Sequence, residues 1–366
     1  SRQLYDSPTT KLPRSVAVNG VQVHRVWTSS FGRSRLIGRA SDYISFYFSA
    51  AVKLFSLADR RAVVVAKTDP PLISVPAGWV ARLRGARLVN WLQDVFPEVG
   101  SALGIKVLRG RVGNWARALR DASLHRAVMN VVLGDRMAEQ IRGRGIGAQQ
   151  VRVIPNWSDG DAITPLPRAS NPLRSQWGIA DKFVVMYSGN MGRAHELGPV
   201  IGAAEALRDE PDLVFVLIGE GAGRAALERE VAEKSLPNVL FKPYQPRDQL
   251  RFSLTLADVH LASLKPELEG LIVPSKAYGI FAAGRSMIFM GARDGDIGRL
   301  LLEFDCGDVV PSGDGAALTA SIRRLLKDSS LCIGMGERAR ALFDRRYSRT
   351  VALAAWESLL LEAARP

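Results

Sequence analysis

Residues 183–196 read Phe-Val-Val-Met-Tyr-Ser-Gly-Asn-Met-Gly-Arg-Ala-His-Glu, a short apolar run that ends in a glycine-containing turn. The run predicts a buried β-strand over 183–188. Glycines at 189 and 192 allow the backbone to come close to a phosphate, and Arg193 can neutralise its charge. A helix is predicted to start just after this turn, and free N–H groups at a helix start favour anions. The stretch therefore indicates a strand–turn–helix unit of an α/β fold.

The same unit recurs on both sides of residues 183–196 with a spacing of 20–30 residues. The predicted strands of the second half are 183–188, 213–218, 238–241, 257–261, 286–290 and 307–310, and those of the first half are 62–66, 86–92, 128–133 and 151–154. Such alternation predicts doubly wound parallel sheets, here in two Rossmann-like domains. We expect domains at 1–155 and 156–347, followed by a helix at 348–366 that crosses back to the first domain.

Two local signals precede the first sheet. Residues 14–27 alternate around Asn19-Gly20, which predicts a β-hairpin. Ser41 and Asp42 are then expected to cap an apolar helix that runs to about Leu57.

The amino-acid composition narrows the classes of function that the protein can have. The chain has 366 residues, two cysteines and four histidines, so neither a disulfide framework nor a metal site is expected, and a reducing compartment is indicated. No apolar run reaches the ~18–20 residues of a membrane span. We expect no cofactor.

The charge is concentrated in one half of the chain. Residues 1–150 hold 23 Lys+Arg and 9 Asp+Glu, whereas the remainder holds 26 and 27. This asymmetry favours a polyanionic partner, either nucleic acid or an anionic membrane leaflet, although a solvated basic face explains it equally well. No nucleic-acid motif appears, so we expect no nucleic-acid partner. The densest basic segment contains Arg82, Arg84, Arg87, Arg109, Arg111, Arg117 and Arg120.

Two further turns follow predicted strands of the second half. Val216-Leu-Ile-Gly-Glu-Gly-Ala-Gly223 does not have the dinucleotide spacing, and a tight strand-to-helix turn explains its glycines without any ligand. Residues 262–284 read Ala-Ser-Leu-Lys-Pro-Glu-Leu-Glu-Gly-Leu-Ile-Val-Pro-Ser-Lys-Ala-Tyr-Gly-Ile-Phe-Ala-Ala-Gly. Their acidic turn fits sugar hydroxyls, and the following Ser275 and Lys276 fit a phosphate. Loops after parallel strands share one crevice, so this pattern indicates a nucleotide-sugar site.

Four motifs together resemble the bacterial retaining GT-B glycosyltransferases of family 4, within the branch that builds exopolysaccharide and lipid-linked oligosaccharide. They are Tyr187-Ser-Gly-Asn-Met-Gly-Arg-Ala-His195, Ile154-Pro-Asn-Trp157, Glu267-Leu-Glu-Gly-Leu-Ile-Val-Pro-Ser-Lys276 and Ala282-Ala-Gly-Arg285. In the first domain, Asp94-Val-Phe-Pro-Glu98 is similar to a recurrent Asp-x-x-Pro-Glu element of the family. The resemblance implies transfer of a hexose, with retention, from a nucleoside-diphosphate sugar to a lipid-linked or polysaccharide acceptor. It implies a cytoplasmic enzyme, peripheral on the inner face of the cell membrane.

The resemblance also implies roles for individual residues. Lys276 and Arg193 would stabilise the leaving diphosphate, and Glu267 or Glu269 would bind hydroxyls of the donor sugar. The other donor-binding residues would be Gly189, Asn190, Gly192, Gly219, Glu220, Gly270, Leu271 and Ser275. Asp94 and Glu98 would face the acceptor. His195 is expected at the surface, at the start of a helix over 195–209.

Three features depart from the family pattern. Gly189-Asn190 stands where the family usually has Gly-Arg, so Arg193 would substitute from another position. Gly279 stands where a second glutamate grips the ribose. The family also begins with a strand, a glycine-rich turn and a helix, which implies that roughly 40–50 residues precede Ser1. Two alternatives therefore stay open: a non-catalytic nucleotide-sugar-binding member of a polysaccharide assembly complex, and a GT-B epimerase or hydrolase.

Overall fold

The computed structural model of the protein describes residues 12–32 and 36–365. Two parallel sheets, each covered by helices, form two α/β domains, as the strand–helix alternation predicts. Within the described residues, no helix is long and apolar enough to cross a membrane.

The first domain is built on a four-stranded parallel sheet of order β3-β4-β5-β6. Its elements are β1 (Ser15–Val18), β2 (Val21–His24), α1 (Leu36–Leu57), β3 (Val63–Lys67), α2 (Ser74–Arg84), β4 (Arg87–Trp91), α3 (Glu98–Ala102), α4 (Arg111–Arg126), β5 (Met129–Val132), α5 (Asp135–Arg142) and β6 (Val151–Val153).

The hairpin around Asn19-Gly20 is confirmed, with β1 and β2 paired antiparallel and both turn residues at positive φ. The expected helix start at Ser41 and Asp42 is wrong, because α1 already begins at Leu36. Asp42 lies inside the helix, and its carboxylate accepts hydrogen bonds from the amides of Phe31 (2.8 Å) and Gly32 (3.0 Å). It therefore caps the preceding loop rather than its own helix.

The basic excess of the first domain is only partly on its surface. Arg120 is buried and pairs with Glu98 (2.9 Å). Arg87 donates a hydrogen bond to the Ala363 carbonyl oxygen (2.9 Å). These two arginines are thus taken up by internal contacts, whereas Arg82, Arg84 and Arg111 are exposed.

The second domain has a six-stranded parallel sheet of order β9-β8-β7-β10-β11-β12. Its elements are α6 (Pro172–Gln176), β7 (Phe183–Ser188), α7 (Gly198–Ala206), β8 (Leu213–Ile218), α8 (Arg224–Glu233), β9 (Val239–Lys242), α9 (Leu250–Thr255), β10 (Val259–Ser263), α10 (Lys276–Ala282), β11 (Ser286–Met290), α11 (Asp296–Glu303), β12 (Gly307–Val310), α12 (Gly315–Lys327) and α13 (Ser329–Arg346). The last helix, α14 (Arg349–Ala364), follows α13.

The strands of the second sheet are apolar on both faces because helices cover both. In β7, Val184 and Met186 pack into the cluster on one side, and Val185 and Tyr187 pack into the cluster on the other. The strand order reverses between β7 and β10, the two central strands. In an open parallel sheet, the crevice beyond the carboxyl ends of such strands is the expected ligand site.

The two domains contact each other beside this crevice. The Val95 amide donates to the Leu271 carbonyl oxygen (2.9 Å), and Asp94 forms an isolated antiparallel bridge with Ile272. Apolar side chains from both domains, including Val95 and Leu268, share one buried cluster. The loop after β10 is therefore held against the first domain.

The chain passes between the domains twice, and the two passages lie side by side. Ser158 on the first passage bridges Ser348 on the second, and its amide donates to the Tyr347 carbonyl oxygen (3.3 Å). Beyond the second passage, α14 packs Trp356 onto the strands of the first domain, where the ring lies 4.7 Å from that of Trp91. The carboxyl-terminal helix thus belongs physically to the first domain.

Replacement of Trp356 by alanine tests this attachment. Removing a buried tryptophan leaves a cavity, so we expect Trp356→Ala to lower the free energy of unfolding by roughly 3–5 kcal/mol in urea titrations. Leu361→Ala, on the exposed side of the same helix, is the matched control and should change it by less than about 0.5 kcal/mol. Equal effects of the two substitutions would contradict the packing of α14 described above.

Candidate active site

Two neighbouring cavities open at the reversal of strand order. The first, of about 460 Å³, is lined by Gly189 and Lys276 of the second domain and by Trp157 of the connector, the segment between β6 and α6. The second, of about 540 Å³, is lined by Arg193 and Glu267 together with residues of the first domain that follow α3. His195 borders both cavities. The structure therefore brings Lys276, Arg193 and Glu267 of the predicted site to one crevice between the domains.

Lys276 is the dominant electrostatic feature of the first cavity. Its Nζ atom is buried, and it has no hydrogen-bond partner among the described residues. It sits 3.5 Å from the ring centroid of Tyr187, in a cation–π contact. Burial lowers the pKa of the ammonium to about 7. An unpaired buried ammonium is unfavourable by itself, so this position fits a bound anion.

The first glycine turn holds the backbone close to this ammonium. Gly189 has φ +143°, and a Cβ atom there would lie 3.0 Å from Lys276 Nζ. The Asn190 side chain lies over Gly192, where a Cβ atom would come within 2.9 Å of Nδ2. The Tyr187 hydroxyl donates to the Asn190 carbonyl oxygen (2.8 Å). The turn leaves room beside Lys276 that a side chain at position 189 would fill.

The second glycine turn packs against the first. A Cβ atom on Gly219, which has φ +136°, would lie 2.0 Å from the Gly189 carbonyl oxygen. The Glu220 side chain is exposed and pairs with Arg224 (2.7 Å), and its carbonyl oxygen accepts from the Met191 amide (2.9 Å). These contacts explain the glycines by backbone packing, and they place Glu220 at the outer rim of the site.

The two glutamates of the acidic turn lie in different places, Glu267 at the second cavity and Glu269 near the domain interface. Glu267 is exposed and lines the second cavity. The carboxylate of Glu269 instead faces Gly295, and burial followed by repulsion from Asp296 raises its pKa to about 7. Gly270 lies against the first domain, since a Cβ atom there would meet α5 at 3.0–3.1 Å.

Leu271 and Ser275, which are also predicted to bind the donor, have different surroundings from each other. The Leu271 amide donates to the Leu268 carbonyl oxygen (3.0 Å), so it is occupied within the turn. Ser275 is exposed and lines the first cavity, but its side chain forms no cap on the short helix α10. Arg193 is also exposed, at the edge of the second cavity.

Asp94 and Glu98, predicted together, have different environments. The Oδ1 atom of Asp94 is buried without a hydrogen-bond partner among residues 12–32 and 36–365. Burial, followed by repulsion from Asp69, raises the pKa of Asp94 to about 6. Glu98 pairs with both Arg120 (2.9 Å) and Arg144 (2.8 Å), and hydrogen bonding to Arg120 keeps its pKa below the usual range. Glu98 is thus held inside the first domain.

His195 is the site residue that sequence reasoning missed. It was expected at the surface on a helix, yet α7 begins only at Gly198, and His195 lies half-buried between the two cavities. Its Nδ1 atom is 2.6 Å from the Ser263 carbonyl oxygen. Burial and the nearby Lys276 ammonium lower its pKa to about 4, which keeps the imidazole neutral at pH 7. In the sequence, the position of His195 in the turn that follows Gly192 is the feature that could have indicated a place at the site.

Gly279 and the connector complete the first cavity. Gly279 lines it, and a Cβ atom there would make only ordinary contact, at 3.4 Å from Leu254. Asn156 donates a hydrogen bond to Gln93 of the first domain (3.1 Å) next to Trp157. Within the part of the chain that the structure describes, no three His, Cys, Asp or Glu side chains cluster closely enough to hold a metal ion.

Comparison with known proteins assigns this arrangement to a class. Residues 4–157 match the glycosyl transferase 4-like domain, and residues 170–342 match the glycosyl transferases group 1 family. The putative colanic acid biosynthesis glycosyl transferase WcaI of Escherichia coli is 32% identical over 80% of this chain and 72% of its own length. The probable glycosyltransferase WbjE of Pseudomonas aeruginosa is 26% identical over 88% of this chain and 80% of its own length.

A solved structure supports the fold independently. HepE of Anabaena, crystallised in complex with UDP and glucose, superimposes with a TM-score of 0.69 over 90% of this chain and 83% of its own length, at 17% identity. The fold and crevice define a GT-B glycosyltransferase. The chain belongs to the bacterial family 4 GT-B glycosyltransferases, as the four motifs indicated.

The contact between the two glycine turns can be tested by adding one methyl group. Gly219→Ala would place Cβ against the Gly189 carbonyl oxygen and force a positive φ on alanine, at a cost of roughly 2–4 kcal/mol. Gly202→Ala, in the exposed part of α7 with open space around it, should instead raise stability by about 0.5–1 kcal/mol. Thermal unfolding of both variants measures the difference, and a Gly219→Ala protein as stable as wild type would disprove the contact.

Proposed function

We propose that the protein transfers a hexose, with retention, from a nucleoside-diphosphate sugar to a membrane-associated, lipid-linked glycan acceptor. Glycosyl transfer itself follows from family membership, whereas the donor, the acceptor and the stereochemistry are the content of this proposal. Two similar proteins support it: WcaI is described as a putative colanic acid biosynthesis glycosyl transferase, and the structural neighbour HepE was crystallised with UDP and glucose.

The buried, unpaired ammonium of Lys276 is the observation that carries the donor assignment. An anion that enters the first cavity gains this charge without any rearrangement, and the low local dielectric strengthens the attraction. The adjacent Gly189 turn leaves the backbone accessible. A pyrophosphate held here would direct its sugar toward the second cavity, where Glu267 and Arg193 offer a carboxylate and a guanidinium.

The difficult step is departure of the diphosphate from the anomeric carbon. As that carbon–oxygen bond breaks, its electron pair moves to the diphosphate, and the Lys276 ammonium stabilises the added negative charge. Fixed charges of this kind contribute because they need no reorganisation during the reaction. The acceptor hydroxyl then bonds to the same face of the sugar, and its proton passes to the departing phosphate. Neutral His195 lines the path between the cavities.

Asp94 is the acceptor-side residue that the geometry favours. Its Oδ1 atom, which has no hydrogen-bond partner among the described residues, lies next to the bridge between Asp94 and Ile272. Ile272 belongs to the loop between β10 and α10 and precedes Lys276 by only four residues. The Asp94 carboxylate can accept a hydrogen bond from an acceptor hydroxyl. Glu98, which is paired with two arginines, would support the position of the loop rather than contact the acceptor.

Lys276→Ala tests the donor assignment. Losing one preorganised charge at a leaving group costs roughly 3–4 kcal/mol, so we expect kcat to fall about 10²–10³-fold with thermal stability unchanged or increased. Lys234→Ala, which removes a half-buried lysine paired with Glu205 and Glu230 away from both cavities, is the control and should retain full activity. Near-normal turnover by Lys276→Ala would remove the basis for placing the diphosphate in the first cavity.

The lowered pKa of Lys276 predicts a pH dependence of donor binding. Below about pH 7 the free protein already carries the ammonium, and above it the donor binds only after a proton is taken up. The affinity for a nucleoside-diphosphate sugar should therefore fall as pH rises from 7 to 9, by up to about tenfold per pH unit. The diphosphate diester of the sugar nucleotide does not titrate in this range.

Isothermal titration calorimetry in buffers of different ionisation enthalpy measures this proton uptake directly. The ligand used in the titration is the sugar nucleotide that gives the largest increase in Tm in a thermal-shift screen. In Lys276→Met the affinity should be weak and nearly independent of pH. A wild-type affinity that rises with pH would contradict the assignment.

A further inference from the structure

A further cavity lies where the chain passes between the two domains, separate from the two cavities of the crevice. Its volume is about 470 Å³. The first domain lines it with residues 133–135 and 153–155, and the second domain lines it with side chains of α10 and α11. Tyr347, at the second passage between the domains, and residues of α14 complete the wall. We call this space the junction cavity.

Two buried tyrosines line the junction cavity with free hydroxyls. Tyr278 of α10 is only 2% exposed and Tyr347 only 5%, and their ring centroids are 5.0 Å apart. Neither hydroxyl forms a hydrogen bond with any residue that the structure describes. Burial raises the pKa of both phenols, so each keeps its proton and can donate as well as accept. Because buried polar groups are normally paired, the two hydroxyls indicate a polar ligand.

Two carboxylates lie on the same side of the cavity as these hydroxyls. Asp135 begins α5 of the first domain, and Asp296 begins α11 of the second. One oxygen of Asp296 accepts from the Arg136 amide (3.1 Å), and the other is buried with no hydrogen-bond partner in the described ranges. Burial raises the pKa of Asp296, and the neighbouring Asp135 adds to this effect. Carboxylates and phenols together can accept from and donate to the hydroxyls of a sugar.

Three arginines, Arg299, Arg345 and Arg346, are exposed at the border of the cavity. Arg345 has no ion pair or hydrogen bond with another residue of 12–32 or 36–365. Arg346 lies 3.9 Å from Glu303, a long surface contact that contributes little. Guanidinium groups match the oxygens of a phosphate and can bind two of them at once. Arg345 and Arg346 are therefore available to one phosphate group.

Helix α10 connects the junction cavity with the crevice. Tyr278 lines the junction cavity, whereas Lys276 and Gly279 of the same helix line the first cavity, and Val273 borders both. A ligand in the junction cavity contacts both domains, so it favours the domain arrangement that brings these walls together. Because the same arrangement shapes the crevice, binding at the two places is linked, and the linkage is reciprocal.

We propose that the junction cavity is an effector site for a phosphorylated sugar. The sugar hydroxyls pair with the Tyr278 and Tyr347 hydroxyls and with the carboxylates of Asp135 and Asp296, and the phosphate binds the two arginines at the end of α13. A volume of about 470 Å³ is sufficient for a hexose phosphate. The binding site depends only on the cavity, whereas the effect on donor binding rests on the proposed function.

Isothermal titration calorimetry with hexose phosphates tests the site. The ligands are the 1-phosphates and 6-phosphates of glucose, galactose and mannose, and the controls are the free hexoses and inorganic phosphate. We expect saturable binding of at least one hexose phosphate, about tenfold or more tighter than either of its halves. Absence of binding by all six esters would overturn the proposal. Equal affinity for inorganic phosphate would overturn the assignment of a sugar.

Single tyrosine substitutions locate the ligand. Tyr278→Phe and Tyr347→Phe each remove one hydroxyl and keep the ring, so each should weaken binding of the hexose phosphate about fivefold. Tyr43→Phe, on the half-buried side of α1 outside the cavity, is the control and should bind like wild type. Unchanged affinity in both junction variants would contradict the placement of the sugar.

A double arginine substitution tests the phosphate position. Arg345→Gln with Arg346→Gln should weaken binding of the hexose phosphate about tenfold or more. Arg229→Gln with Arg323→Gln removes the same charge from α8 and α12, outside the cavity, and should have no effect. Equal loss in the two double variants would show that only the overall charge matters, and it would overturn the site.

Competition experiments separate this site from the crevice. Lys276→Ala should bind the hexose phosphate like wild type. The hexose phosphate and a sugar nucleotide should bind together, and each should change the affinity of the other by the same factor, about fivefold or more. Strict competition would place the hexose phosphate in the crevice and overturn the proposal, and uncoupled binding would overturn the effector role. If no sugar nucleotide binds while the hexose phosphate behaves as expected, the proposed function fails and the junction site stands.

Discussion

The buried ammonium of Lys276, which has no hydrogen-bond partner among residues 12–32 and 36–365, is the constraint on which the candidate site depends. Lys276 Nζ lies beside the Gly189 turn and over the Tyr187 ring, and it has no hydrogen-bond partner in the described part of the chain. Such an arrangement is costly in an empty site. It is kept by close backbone packing, in which Gly219 supports the Gly189 turn from behind. An anion bound beside Lys276 would offset this cost.

The second domain alone does not complete the crevice. The loop between β10 and α10 is pinned to the first domain by the Val95–Leu271 hydrogen bond, and Gly270 rests on α5. The residues that we propose for the donor and for the acceptor are therefore coupled through one short loop. Any change in how the domains meet alters the distance between Asp94 and Lys276.

Much of the fold could be predicted from the sequence, because buried parallel strands are continuous apolar runs bounded by turn residues. The strands at 183–188, 286–290 and 307–310 have the predicted limits. Helix limits were less certain: Asp42 reads as a cap by residue type but bonds to the loop before its own helix. The site was harder to predict where a residue's role depends on tertiary contacts. Nothing local distinguishes Glu98, bound by two arginines distant in sequence, from Asp94, which has an unpaired oxygen atom. The same holds for Glu267 and Glu269, which differ in burial and in the direction that their carboxylates face.

The paired passages of the chain between the domains have a mechanical consequence. Two domains joined by a single segment of chain can twist and swing in any direction. Here two segments run side by side and are bridged at Ser158 and Ser348, and α14 is fixed to the first domain by Trp356. A doubled connection of this kind resists twisting of one domain against the other more than a single segment would. A movement that opened and closed the crevice would therefore be restricted at this connection, and it would bring the residues proposed for donor and acceptor back to the same relative position.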